Sequence, residues 1–288
     1  SLTRHPAWIA DLLDKWTPRL SGARIGKSPA GTGLRSAHLR PFYRQDIFRW
    51  AIIAECVSRH LVPASIRAIL ATVSAQHPMT QDATGRYSDA SSTRPIGKCE
   101  RPLADFLRGD ASTVARAIGR LLVNFGQFAV SIRSGGEAVS RALQTRLLAD
   151  QTTVTVFTDA SNAYCMLDPV DELRALDMLR LYIQRLPAAR IPAGNSRNEL
   201  LWACDLLTAD LTFYRAHDGA VLTVLDGILK RLDLPGGEGQ GGLWSMLRFT
   251  ITVAMLVLQE LASSYPDVDR LCIADDVTIQ MAVTTPEH

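Results

Sequence analysis

The sequence predicts an α+β fold, with helices leading and a small, mostly antiparallel sheet in the second half. Three observations carry this. Apolar residues recur at helical spacing through most of the first 150 positions. The first strong alternating β-branched run, Thr152–Phe157, comes only after them. The last apolar runs, Arg270–Ala274 and Val277–Val283, are short and are separated by two acidic residues.

Taken in order, Pro6–Trp16 puts Trp8, Leu12 and Trp16 on one helical face and is expected to stop at Pro18. Ser21–Thr32 is rich in Gly, Ser and Pro and reads as a loop. Its Gly22-Ala-Arg-Ile-Gly26-Lys27-Ser28 imitates a phosphate-binding loop. It has three residues between the glycines where the motif needs four, and no buried strand precedes it, so that reading is rejected. Gly33–Val62 reads as helix ended by Pro63, 64–74 as a further short helix, and Ala75–Thr93 as a polar loop. Helices are expected at 98–125, with a break near Gly109, and at 134–149. The strand at 152–157 lies between Asp150 and Asp159. Helices at 169–186 and 197–208 follow. Leu211–Arg215 and Ala220–Val224, joined through His-Asp-Gly, read as a hairpin. A Gly-rich loop, Pro235–Gly242, leads into an apolar helix at 243–263, and the last two strands hinge on Asp275-Asp276. No internal repeat is present.

Composition bounds the function classes. With 47% apolar and 21% charged residues in 288 positions, the chain has the proportions of an ordinary globular protein. The longest apolar stretch, Phe249–Leu258, falls short of the roughly 20 residues a bilayer span needs, so no membrane partner is expected. Five scattered cysteines without metal-ligand spacing read as reduced intracellular thiols, with nucleus and mitochondrion left open. Net charge is +2, yet residues 1–150 hold 21 Lys/Arg against 11 Asp/Glu, and residues 151–288 hold 10 against 18. A basic front half suits an anionic partner and an acidic back half can hold cations; a merely solvated Arg-rich surface explains the same numbers.

The candidate chemistry rests on carboxylates. Asp159 directly follows the first strong strand, and Asp275 and Asp276 sit together in a turn between two apolar strands. Adjacent carboxylates repel unless a cation neutralises them. A third carboxylate from a neighbouring strand would complete an oxygen-rich site for hard divalent ions. Asp-Asp in a turn is by itself weak evidence, because turns favour Asp for local hydrogen-bonding reasons.

The surrounding residues sharpen the reading. Thr158-Asp-Ala-Ser-Asn-Ala-Tyr164 resembles the first palm motif of reverse transcriptases of the non-LTR retrotransposon type, and Cys272-Ile-Ala-Asp-Asp276 resembles their Tyr-x-Asp-Asp motif. Gly239-Gln240-Gly241 is similar to the Gln-Gly motif between those two, and Arg94-Pro95-Ile96 to a fingers motif. Gln127-Phe-Ala-Val-Ser-Ile-Arg-Ser-Gly-Gly136-Glu-Ala-Val is similar to the family's Gln-Phe-Gly…Gly-Gly-x-Glu-Ala segment. Ser28-Pro-Ala-Gly-Thr-Gly-Leu34 with His38-Leu39 is similar to an early Pro-x-Gly-x-Gly stretch. The resemblance covers about residues 28–282, in the family's order.

The resemblance implies a right-hand polymerase, with an N-terminal extension and fingers-like helical region at 1–150 and a palm-like domain at 151–288. It implies Asp159, Asp275 and Asp276 as catalytic ligands of two Mg²⁺, set about 3.5–4 Å apart for nucleotidyl transfer. Tyr164 would lie under the nucleotide sugar and exclude a 2′-hydroxyl, Gln240 and Gly241 would line the nascent base pair, and Arg94 would grip the triphosphate. RNA or an RNA/DNA hybrid and a dNTP are the implied partners. The chain runs only 12 residues past Asp276, so no thumb is expected on it. Ile273 before the acidic pair and Gly242 after the Gln-Gly motif depart from the family pattern. Two expectations therefore stand: an RNA-directed DNA polymerase fragment, or a non-catalytic relic serving as a structural, RNA-binding subunit of a large ribonucleoprotein such as a mitochondrial ribosome.

Overall fold

A computed structural model describes residues 7–22, 35–63, 65–66, 73–76, 96–99, 101–158, 163–212, 220–225, 228–233 and 243–282. In chain order the helices are α1 (Ala7–Ser21), α2 (Ser36–Gln45), α3 (Ile47–Ser58), α4 (Arg101–Leu122), α5 (Gly135–Ala149), α6 (Pro169–Arg185), α7 (Arg197–Asp210) and α8 (Ser245–Ser264). The strands are β1 (Val73–Gln76), β2 (Ile96–Cys99), β3 (Thr153–Thr158), β4 (Ala220–Leu225), β5 (Ile228–Asp233), β6 (Asp269–Ile273) and β7 (Asp276–Ala282). They form two sheets, in the orders β2-β1-β4-β5 and β3-β7-β6.

The chain divides into two compact units. The first holds residues 1–111, 209–235 and 239–243, and the second holds 112–208, 236–238 and 244–288. This partition by compactness differs from the division at residue 150, which follows motifs.

In the first unit, α1, α2 and α3 pack around Trp16, Leu20, Leu39, Tyr43, Ala51, Ala54 and Val57, with Phe106 of α4 against Tyr43 and Trp50. Tyr43 meets Trp50 edge-on at 5.1 Å. Contrary to expectation, α1 runs through Pro18. Proline removes one backbone bond, and the buried Trp16 and Leu20 on either side hold the last turn in place. The Arg19–Asp110 ion pair, at 2.9 Å, adds to them. The same arginine explains why α4 is continuous at Gly109: a Cβ there would come within 2.6 Å of the Arg19 guanidinium, so this glycine answers to packing and breaks nothing. Helix 33–62 is interrupted at Asp46, whose carboxylate caps α3 by accepting from the Arg49 amide at 3.2 Å.

Residues 213–219 of the hairpin expected between 211–215 and 220–224 lie outside the described residues, and 220–224 pairs elsewhere. Helix α7 runs to Asp210, and β4 pairs with β5, from Ala220↔Asp233 to Leu225↔Ile228. The intervening sequence, Asp226-Gly227, is a strong two-residue hairpin signal. Residues 73–76, expected to end a helix and begin a loop, form β1, antiparallel to β2 and parallel to β4.

The second unit holds the anticipated antiparallel sheet. Strand β7 lies between β3 and β6, in register from Thr153↔Ala282 to Thr158↔Val277 on one side and from Asp269↔Gln280 to Ile273↔Asp276 on the other. Helix α6 starts sharply because Asp168 accepts from the Val170 amide at 2.8 Å and Pro169 occupies the first turn. Ser196 and Glu199 form a reciprocal capping box before α7. The apolar stretch Phe249–Leu258 belongs to a 20-residue helix, α8, long and apolar enough to cross a bilayer by length and composition. Its Leu247, Phe249, Ile251, Ala254, Met255 and Leu258 are buried, as in a core helix.

Candidate active site

The site is built at one end of the three-stranded sheet. Strands β6 and β7 are joined through Ala274 and Asp275, and Asp276 opens β7 opposite Ile273. Asp275 is half-buried and Asp276 exposed. Among the described residues no cation pairs with either carboxylate, and no group of three His, Cys, Asp or Glu side chains gathers at metal-ligand distance. Two adjacent carboxylates supply the oxygen donors that a hard divalent ion prefers. On the far side of β7, β3 ends at Thr158, which pairs with Val277 and donates its hydroxyl to the Val277 carbonyl at 3.0 Å. Asp159, the next residue, lies outside the described residues, as do Arg94, Gln240 and Gly241.

Tyr164 is described. It stacks on Phe249 of α8 with ring centroids 4.3 Å apart and 20° between planes, and its hydroxyl donates to the Met246 thioether at 2.8 Å. The ring is half-buried and held from one side by a core helix.

Gln127, the first residue of the Gln-Phe motif, stands behind the acidic turn as a brace. Gln127, 1% exposed, uses its whole amide. Its Nε2 donates to the Ala274 carbonyl at 3.1 Å and to the Cys272 Sγ at 3.2 Å. Its Oε1 accepts from the Ala274 amide at 3.0 Å and the Ala129 amide at 3.1 Å. Ala274 has φ +59°, a left-handed conformation that costs an alanine roughly 1–2 kcal/mol. The segment around Gln127 runs along the outer edge of β6, with the Cys272 amide donating to the Gly126 carbonyl at 2.7 Å and the Phe128 amide to the Cys272 carbonyl at 2.8 Å. Gly126 has φ +87°, and a Cβ on it would stand 2.2 Å from the Arg270 carbonyl oxygen. Gly135 faces the Phe128 carbonyl in the same way at 2.3 Å. Gly126 and Gly135 thus each have a local structural reason, a close approach to a backbone carbonyl. In the sequence the Gln127–Gly136 segment shows only as a motif resemblance, which assigns Gln127 no partner.

The buried Cys272 thiol reports the electrostatics of the turn. Burial raises its pKa to about 12; the Gln127 hydrogen bond works against this and the neighbouring Asp275 and Asp276 charges add to it. It is a packing residue, inert as a nucleophile. A cavity of about 530 Å³ lies in the first unit between Trp8, Ile52 and Leu61, and neither Asp275 nor Asp276 lines it.

No protein-family model and no curated protein matches the chain. Among solved structures it is similar to apo telomerase of Candida tropicalis truncated from its C-terminal domain, with TM-score 0.47 and 13% identity over 75% of this chain and 44% of that one. It is similar also to Candida tropicalis telomerase in complex with a fragment of telomeric RNA (TM-score 0.47, 11% identity, 74% and 36% covered). The Candida albicans telomerase–RNA complex gives TM-score 0.43 and 13% identity, with 84% and 43% covered. The chain therefore spans less than half the length of these three neighbours.

Proposed function

We propose that this chain carries the fingers and palm of a reverse-transcriptase-like polymerase that performs RNA-directed DNA synthesis, with fingers-like residues before about 150 and palm-like residues after. The observation that supports this most is the Asp275-Asp276 turn, set beside a strand, β3, that leads directly into Asp159. Asp159, Asp275 and Asp276 would hold two Mg²⁺, which when bound activate a primer 3′-hydroxyl and stabilise the leaving pyrophosphate.

The chain's own residues supply orientation. Tyr164, fixed from below by Phe249, would offer its ring to the nucleotide sugar and exclude a 2′-hydroxyl. Arg94 would pair with the triphosphate, and Gln240 and Gly241 would allow close backbone approach to the nascent base pair. The basic balance of residues 1–150 suits a nucleic-acid backbone.

RNA-templated extension of a DNA primer with dNTPs and Mg²⁺ tests the reading. Asp159→Ala should abolish incorporation at an unchanged thermal midpoint, and Tyr164→Ala should retain it while admitting ribonucleotides. An Asp159→Ala protein as active as wild type sinks the assignment. Wild-type protein that binds RNA yet incorporates nothing makes the chain a non-catalytic relic kept as a subunit of a larger assembly.

A further inference from the structure

We propose that Gln127 is a positioning residue: it sets the conformation of the Asp275-Asp276 turn and thereby its affinity for divalent ions. The inference rests on the reading of that turn as part of a metal site. Its own support is geometric. Gln127 grips Ala274, the residue immediately before Asp275, at both backbone polar groups, the amide at 3.0 Å and the carbonyl at 3.1 Å. Those bonds hold a residue with φ +59° whose side chain gives it no preference for that region. The reach of the amide is fixed in turn. Its remaining bonds go to Cys272 Sγ and the Ala129 amide, and the backbone on either side of it is tied to Cys272 at 2.7 and 2.8 Å.

The direction in which Asp275 leaves the turn is set by the torsions of Ala274. A relaxed Ala274, free to move to negative φ, would redirect both carboxylates. Partners that orient ligating groups from behind govern metal affinity by about 10–100-fold when removed. Gln127 is buried, and its side-chain hydrogen bonds go to Ala274, Cys272 and Ala129, not to Asp275 or Asp276.

The test is Mn²⁺ binding to the full chain, followed by the electron-paramagnetic-resonance signal of the free ion, beside the thermal midpoint of each protein. Four variants are compared: Asp275→Asn, Gln127→Met, Gln127→Glu and Val130→Ala. Met fills the volume of Gln without its hydrogen bonds. Glu keeps an acceptor for the Ala274 amide and serves if the Met variant does not fold. Val130→Ala loosens the same segment through a buried side chain that none of the Ala274 bonds involves. Mn²⁺ affinity should fall about tenfold or more in Gln127→Met, less in Gln127→Glu, and stay at the wild-type value in Val130→Ala despite its lower midpoint. Equal affinity in wild type and the Gln127 variants overturns the positioning role, as does a loss in Val130→Ala matching that of Gln127→Met. Equal affinity in wild type and Asp275→Asn instead overturns the metal site itself. In the wild-type protein the Ala274 amide should exchange slowly with solvent deuterium; fast exchange overturns the brace regardless of how the variants fold.

Discussion

Three donors converge on the carboxylate of Glu55: Lys15 Nζ and Trp16 Nε1, each at 2.7 Å, and Arg59 Nε at 2.6 Å. Burial pushes the Glu55 pKa up, but the hydrogen bonds from Lys15, Trp16 and Arg59 outweigh it and bring the group down from 4.5 to about 2. A depressed carboxylate stabilises the fold fully above its unfolded value, and the contribution is lost as pH falls through the folded one. Thermal midpoints should therefore decline between pH 4.5 and 2, and Glu55→Gln should flatten that part of the profile. At neutral pH the substitution should cost about 1 kcal/mol, because Lys15 and Arg59 are partly solvated while Trp16 is fully buried. An unaltered acid limb would show that other groups govern it. Gly126 answers to a different constraint. Gly126→Ala imposes a left-handed φ on alanine and drives a methyl into the Arg270 carbonyl, so urea unfolding should show a loss of about 2–4 kcal/mol. A loss below about 0.5 kcal/mol would mean that the segment moves away from β6 at little cost.

Helices α6 and α8 are joined by Arg248 and Glu172, 6% and 0% exposed, with Nε and Oε2 3.2 Å apart. Removing one partner strands a buried charge, so Glu172→Ala should destabilise the protein by about 3–5 kcal/mol in denaturant unfolding. The double change Glu172→Leu, Arg248→Met should recover most of that loss, which would be absent if the pair contributed nothing. Elements of this kind are legible where apolar periodicity is clear, as for α5, α6, α8 and the strands flanking Asp275, and α6 adds a cap at Asp168. They were misread where one residue served tertiary packing. Pro18 and Gly109 look like breaks in one dimension, yet buried Trp16 and Leu20 flank the first and the Arg19 side chain lies against the second. The β4–β5 hairpin went unread because His-Asp-Gly upstream competed with Asp226-Gly227. At the site, the sequence shows the acidic turn and Gln127 as parts of separate motifs, but not that the glutamine stands behind the turn. A hydrogen-bond brace spanning 147 positions leaves no periodic trace.

Across the whole molecule, the proposed activity requires that Asp159, which follows β3 in the sequence, and the β6–β7 turn share an ion. That requirement can be tested without a template or a primer. Fe²⁺ substituted for Mg²⁺ generates hydroxyl radicals where it binds, and ascorbate with peroxide then cuts the backbone locally. The account predicts cuts near residue 159 and near 275–276 together, suppressed by excess Mg²⁺ and lost in Asp275→Asn. Cutting confined to one of those segments, or persisting unchanged in Asp275→Asn, would contradict it.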